Sequence, residues 1–217
     1  MARHSAEGDE VHVLILAEGA TSRDKTRNRD AKEQELSELA QAAQKAGKVL
    51  GISSLRLNQF PDNRMDGVEL LDVIKVVEEH LQRLRPEVVY THHNGDLNVD
   101  HQKTHKAVIT ACRPQPEQTV HTILFFEVSS STEWQLPGSA PNFSPNWYVD
   151  ISTFLGKKKD ALSVYASEMR PWPHARSIEA VEHLSRWRGA SIGVKAAEGF
   201  MLGRHVKLQG LSNKLQA

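Results

Sequence analysis

Apolar runs of strand length alternate along this chain with longer amphipathic stretches, and this order restricts the fold more than any other feature. Strands are predicted at residues 11–17, 54–59, 88–91 and 122–128. Between them, apolar residues recur at helical spacing in segments that end at Gly47 or Gly51, before Pro86, and at Cys112. Strands that alternate with helices predict an α/β fold: a Rossmann-like, mostly parallel sheet with helices on both faces.

The remainder of the chain predicts a loop and two more helices. Residues 129–146 are rich in Ser, Pro, Asn and Gly, which in a compact domain is typical of a functional loop. Helices are predicted at about 151–167 and 177–203, with Ser177 as the N-cap of the second. The polar residues 207–217 are expected to fray. No domain boundary is visible, so we expect a single domain over residues 1–217.

Charge and cysteine content exclude several classes of protein. Lys plus Arg and Asp plus Glu each number 27, so no net field favours nucleic acid or an anionic membrane. No stretch approaches the roughly 18 apolar residues of a membrane span, and the first ten residues lack the apolar core of a signal peptide, so a cytoplasmic protein is expected. The single cysteine, Cys112, lies in an apolar run and is interpreted as a small buried hydrophobe rather than a nucleophile.

The densest group of ligating side chains is residues 92–101, with His105 one helical turn further on. It directly follows a predicted buried strand, and ligands bind at the carboxyl ends of strands in open α/β sheets. Imidazole and carboxylate suit a cation such as zinc. The alternative is an Asx-rich loop that caps the next helix. His101 and His105 stand at i and i+4, but we expect only one of the two to be functional, because the intervening Glu of the zinc-protease helix is missing.

Two further groups follow other predicted strands. Asp62 and Arg64 offer a carboxylate and a guanidinium that can bind sugar hydroxyls, or they form only a tight turn. Glu127 lies near the end of the strand predicted at 122–128, and Trp134 follows that strand. Trp134 can stack on a sugar ring or anchor the loop in the core, and the core anchor is preferred.

The sequence from Tyr90 to His101 resembles the second metal motif of the LmbE-like (PIG-L) deacetylases, and matching blocks extend the resemblance over residues 2–204. The resemblance implies a Rossmann-like fold and a zinc-dependent hydrolase that removes the acetyl group from an N-acetylglucosamine-type sugar or glycoconjugate. It assigns His101 as a metal ligand, Asp100 as its supporting carboxylate, and Asn98 as an oxyanion donor in place of the His of many members. Predicted substrate contacts are Asp62, Arg64, His93, Asp96, Glu127 and Trp134.

The chain departs from this family at its start. The first family motif, Ala-His-Pro-Asp-Asp-Glu, carries the remaining ligands and the general base, and it is missing together with the first central strand. Either Met1 is an internal methionine of a longer product, which we prefer, or the chain is a shortened paralogue. The alternative function is a metal-free homologue that binds sugar without catalysis or is vestigial. A nucleotide-binding domain is disfavoured because no Gly-x-Gly-x-x-Gly follows any strand. A homo-oligomer is possible.

Overall fold

The computed structural model describes residues 1–207, and most of the predicted tail lies outside them. Its helices are α1 (Ala2–Ala6), α2 (Glu33–Leu50), α3 (Leu70–Leu84), α4 (Val99–Ala111), α5 (Leu155–Ser163) and α6 (Ile178–Ala190). Its strands are β1 (His12–Ala17), β2 (Ser54–Phe60), β3 (Val88–His92), β4 (Thr122–Phe126), β5 (Trp147–Asp150) and β6 (Ala197–His205). The first four strands and the helices between them confirm the predicted α/β alternation.

The strands form two sheets rather than one. β1 pairs with β2 in parallel, and β3 begins a second sheet of order β3-β4-β6-β5. β3 and β4 are parallel, whereas β6 runs antiparallel to both β4 and β5. α3 packs with α4, while α2, α5 and α6 form a separate helical group. Within residues 1–207, β1 and β3 each pair with a single strand, so each has an unpaired edge.

One hydrophobic core joins the two sheets. It contains Leu16 from β1, Val73 from α3, Val108 from α4 and Ile123 from β4. Cys112 has no exposed surface in the same core, and burial raises the pKa of its thiol to about 11. The interpretation of this cysteine as a buried hydrophobe is therefore confirmed. Because these side chains share one core, the β1–β2 pair is fixed beside the larger sheet.

The helix predicted over residues 177–203 is correct only in its first half. Ser177 is its N-cap as expected, and its side chain accepts a hydrogen bond from the Ala180 N–H. α6 ends at Ala190, and the chain then turns at Gly193, which has a φ of +79°. The residues that follow form β6, with Ala197 and Phe200 buried. This segment has helical spacing in the sequence but forms a strand because it is buried between β4 and β5. Strand β5 was also missed in the sequence analysis.

Over residues 1–207, every helix is too short or too polar to span a bilayer.

The burial of His80 on α3 makes stability depend on pH. Only 7% of this residue is exposed, and burial and Arg83 lower the pKa of its imidazole below 6.5. The folded state therefore keeps His80 neutral, and its contribution to stability is lost as the pH falls below 6.5. We expect the urea midpoint to fall on acidification and to fall less in His80→Leu. Substitution of the exposed His183 by leucine is the control, and an equal fall in all three proteins would contradict this origin.

Candidate active site

The predicted site lies where β3 ends and α4 begins. A turn over residues 93–98 connects them, and Asn98 is the N-cap of α4. The Asn98 Oδ1 accepts the N–H groups of Asp100 and His101 at 2.8 and 3.4 Å, while its Nδ2 donates to Asn63 Oδ1 at 2.8 Å. The capping part of the alternative is therefore correct for Asn98, but the histidines are not merely solvated, because His93 is buried and His101 is held by Asp96. The same side chain joins the carboxyl ends of β2 and β3.

His101 is held by a buried carboxylate. Its Nδ1 lies 2.9 Å from Asp96 Oδ1, and only 21% of the His101 side chain is exposed. Asp96 also accepts a hydrogen bond from Thr132 Oγ1 at 2.6 Å and one from Ser131 Oγ. Burial by itself would raise the pKa of Asp96, but hydrogen bonds from His101, Ser131 and Thr132 hold it well below its usual value. The Asp96 carboxylate thus orients the imidazole, and no hydrogen bond from residues 1–207 occupies His101 Nε2.

The supporting carboxylate of His101 is Asp96 and not Asp100, which corrects the sequence prediction. Asp100 accepts the backbone N–H groups of Asn63 at 2.6 Å and Met65 at 2.9 Å. Consecutive residues of a helix point about 100° apart, so the Asp100 side chain faces away from the His101 ring. Asp96 precedes the helix and folds back to reach Nδ1. Asp100 instead fixes the segment after β2 against α4, and its burial raises its pKa.

Asp62 and Arg64 lie beside the site but bond to the loop after β1. Asp62 Oδ2 accepts Ser22 Oγ at 2.5 Å and the Ser22 N–H at 3.2 Å. The Arg64 Nη2 donates to the carbonyl oxygens of Asp24 and Lys25 at 3.1 and 3.0 Å. These contacts organise the loop over residues 19–32 at the mouth of the site. Their predicted role in binding sugar hydroxyls stays a prediction.

The other predicted substrate contacts differ in accessibility. His93 has no exposed surface, and its Nε2 lies 2.8 Å from the Pro141 carbonyl oxygen. Asp96 is equally buried and bonds to protein groups, which favours an orienting role over a substrate contact. Glu127 forms a two-point ion pair with Arg188 at 2.9 and 2.7 Å. Trp134 is 48% exposed, so the preferred core anchor is wrong, and its ring meets the His174 ring edge to face with centroids 5.7 Å apart.

Three residues around His101 were given no individual role by the sequence analysis. The His92 ring stacks on it with centroids 4.1 Å apart, and burial together with His101 lowers the pKa of His92 to about 3. Ser131 and Thr132 reach Asp96 from the loop after β4. The Ser/Thr-rich composition of residues 129–132 was the available signal. His105 is buried with its Nδ1 2.9 Å from the His92 carbonyl oxygen. The expectation that only one of His101 and His105 is functional stays a prediction.

The motifs around His101 are part of a longer sequence match to a known family. The sequence model of the PIG-L family, described as GlcNAc-PI de-N-acetylase, matches residues 1–112, which is 112 of the 217 residues. The chain belongs to the PIG-L family. The match contains the turn after β3, the Asn98 cap and His101, so the predicted family is confirmed through the residues that build the candidate site.

Solved structures show a likeness in fold that extends beyond the matched half. The conserved protein TT1542 of Thermus thermophilus is 24% identical, with 98% of this chain and 90% of that chain covered and a TM-score of 0.68. The N,N'-diacetylchitobiose deacetylase of Pyrococcus horikoshii is 17% identical, with 94% and 76% covered and a TM-score of 0.71. The 4-carboxy-2-hydroxymuconate hydratase of Pseudomonas putida is 20% identical, with 97% and 91% covered and a TM-score of 0.72. These likenesses establish the fold over nearly the whole chain.

Proposed function

We propose that this chain is the main part of a zinc-dependent deacetylase that removes the acetyl group from an N-acetylglucosamine-type sugar or glycoconjugate. The observation that carries the proposal is the buried Asp96, which holds His101 Nδ1, while no hydrogen bond from residues 1–207 occupies Nε2. A metal-binding imidazole almost always has such a partner on its other nitrogen. The family match supports the reaction class.

The residues that the structure describes do not hold a catalytic zinc by themselves. Such sites use three protein ligands and keep one position open. Within residues 1–207, no group of three His, Cys, Asp or Glu ligand atoms surrounds His101. His101 is therefore one corner of the proposed site, and the described part of the chain provides no complete metal centre.

We propose that a segment outside the 217 residues supplies the other ligands, and the split sheet supports this. β1 and β3 each have an unpaired edge, although one core holds their sheets together. On β3, Thr91 is only 2% exposed and its hydroxyl has no hydrogen-bond partner among the described residues. A parallel strand between β1 and β3 would pair both edges and end beside His101, because the carboxyl ends of parallel strands meet at one edge.

The nucleotide sequence upstream of the Met1 codon tests this part of the proposal. An in-frame strand followed by Ala-His-Pro-Asp-Asp-Glu would support it, whereas an in-frame stop codon directly upstream would contradict it. We call the 217 residues preceded by such a strand and motif the completed chain.

Other residues of the site would then position the substrate. Asp62 and Arg64 lie at the carboxyl end of β2, where they would face sugar hydroxyls, and Trp134 would stack on the ring or on its substituent. The Asn98 side chain is fixed by the cap and by Asn63, which accepts one of its two amide N–H groups, so the other N–H would donate to a developing oxyanion. The Glu127 pair with Arg188 would shape the acceptor side.

A metal-free sugar-binding protein is the second candidate, and the incomplete ligand set favours it for the 217 residues alone. Measurement of acetate release from N-acetylated sugars, together with sugar binding, separates the two candidates. Binding without acetate release by a zinc-loaded completed chain would support the second candidate against the first.

Substitution of Asp96 by asparagine tests the orienting role. The amide keeps the shape of the carboxylate but loses the charge that fixes the His101 tautomer. In the completed chain we expect zinc affinity to fall about 10- to 100-fold, the usual effect of losing such a partner. Zinc titration by calorimetry measures it. Unchanged affinity in a folded Asp96→Asn protein would exclude Asp96 as the residue that positions His101.

A further inference from the structure

A second group of metal-ligating side chains lies away from the candidate active site. It consists of His4, Glu7 and Asp9, which precede β1, whereas His101 lies beyond the carboxyl end of β3. One ligand atom from each of the three residues lies within 4.8 Å of the other two. The cluster therefore has the residue types and the spacing of a small cation site, and the proposed deacetylase activity makes no use of it.

The backbone between α1 and β1 fixes the arrangement. Gly8 has a φ of +90°, which reverses the chain after α1. The Asp9 N–H then donates to the His4 carbonyl oxygen at 3.0 Å. This return places Asp9 Oδ2 2.7 Å from His4 Nδ1. The imidazole and this carboxylate thus meet because of a closed turn and not by chance contact of long side chains.

The second ring nitrogen of His4 already has a partner suited to a metal-bound imidazole. Its Nε2 lies 2.8 Å from the Tyr90 hydroxyl on β3. A tyrosine hydroxyl can donate or accept a hydrogen bond. A cation at Nδ1 would leave the single proton of the neutral imidazole on Nε2, where the Tyr90 oxygen accepts it. Metal-ligating histidines generally have such an outer partner.

The local charge favours a cation. Glu7 and Asp9 lie next to His4, and Arg3 donates to Glu7 Oε1 at 2.6 Å. One arginine does not balance two carboxylates. The Glu7 and Asp9 side chains are 49% and 50% exposed, so both can adjust by the small distance that coordination requires. One imidazole and two carboxylates suit a borderline divalent cation such as zinc better than magnesium.

We propose that His4, Glu7 and Asp9 form a second divalent-cation site, of the type that binds zinc, which ties α1 to β3 through Tyr90. The proposed site connects the turn before β1 with β3, the strand that leads to the candidate active site. A bound cation would therefore stabilise the β1–β2 pair against the larger sheet. This site does not depend on His101 or on the proposed catalytic activity.

Calorimetric titration of zinc into the metal-free 217-residue chain tests the proposal. We expect saturable binding of one zinc per chain, and the same binding in His101→Ala. Asp9→Asn should weaken it at least about tenfold, since losing a ligand costs no less than losing an outer partner. Glu10→Gln removes an equal charge from a neighbouring exposed carboxylate and should leave the affinity unchanged. Zinc should also raise the melting temperature of the wild type but not of Asp9→Asn.

Three results would overturn the site. One is the lack of saturable zinc binding at millimolar concentration. Another is equal weakening by Asp9→Asn and Glu10→Gln, which would show only diffuse attraction. The third is loss of binding in His101→Ala, which would place the zinc at the candidate active site instead. Because both test residues are exposed, each substitution should leave the fold intact.

Discussion

Replacing His101 with alanine is expected to abolish zinc retention and acetate release by the completed chain. The imidazole is the metal ligand that we propose among the described residues at the carboxyl edge of the sheet, and a catalytic zinc with two protein ligands is held poorly. We expect both quantities to fall at least about 100-fold. Zinc content after dialysis and acetate release, measured on the same preparation, report the two effects.

His183→Ala is the matched control for this substitution. His183 is exposed on α6, where its ring contacts Trp172, so its removal should change neither quantity. Retention of zinc in His101→Ala, after correction for the site at His4, would refute the assignment of His101 as a ligand. Loss of activity in His183→Ala as well would indicate general unfolding.

Replacing Gly95 with alanine is expected to lower the free energy of unfolding by about 3 kcal/mol. An added Cβ would lie 2.0 Å from the Pro141 carbonyl oxygen and 2.7 Å from His93 Nε2. The first contact is with backbone, so the loop over residues 137–146 must move, and the buried hydrogen bond from His93 to Pro141 is then lost. Gly95 precedes Asp96, so the displacement would also disturb the support of His101. Urea denaturation measures the change.

Gly156→Ala provides the control for overpacking. Gly156 lies in α5, and a Cβ there meets no atom within 4 Å. Alanine should therefore stabilise the helix by roughly 0.5 to 1 kcal/mol. If Gly95→Ala lowered the free energy of unfolding by less than about 1 kcal/mol, the close contact between Gly95 and Pro141 would not be a major source of stability.

The first half of the fold could be predicted from the sequence because its strands are apolar runs separated by helical periods. β3 and β4 were found in this way, as was the end of α2 at Gly51, whose φ is +73°. β6 was missed because its small and apolar residues follow a helix without a strong turn signal other than Gly193. Its strand conformation depends on pairing with β4 and β5, which are distant in sequence.

The position of the site was predictable, but the partners within it were not. His101 follows a buried strand and lies in a recognisable motif. Which carboxylate reaches it depends on where α4 begins: Asp100 is adjacent in sequence but points away, and Asp96 lies in the preceding turn. Ser131 and Thr132 come from a loop more than 30 residues later, and only the folded chain brings them to Asp96.

Acetate release by the zinc-loaded completed chain, measured on a set of N-acetylglucosamine-type substrates, tests the central claim most directly. We expect acetate release that stops when a chelator removes zinc, returns when zinc is restored, and is missing in His101→Ala. A folded, zinc-loaded completed chain that binds these substrates and releases no acetate from any of them would contradict it.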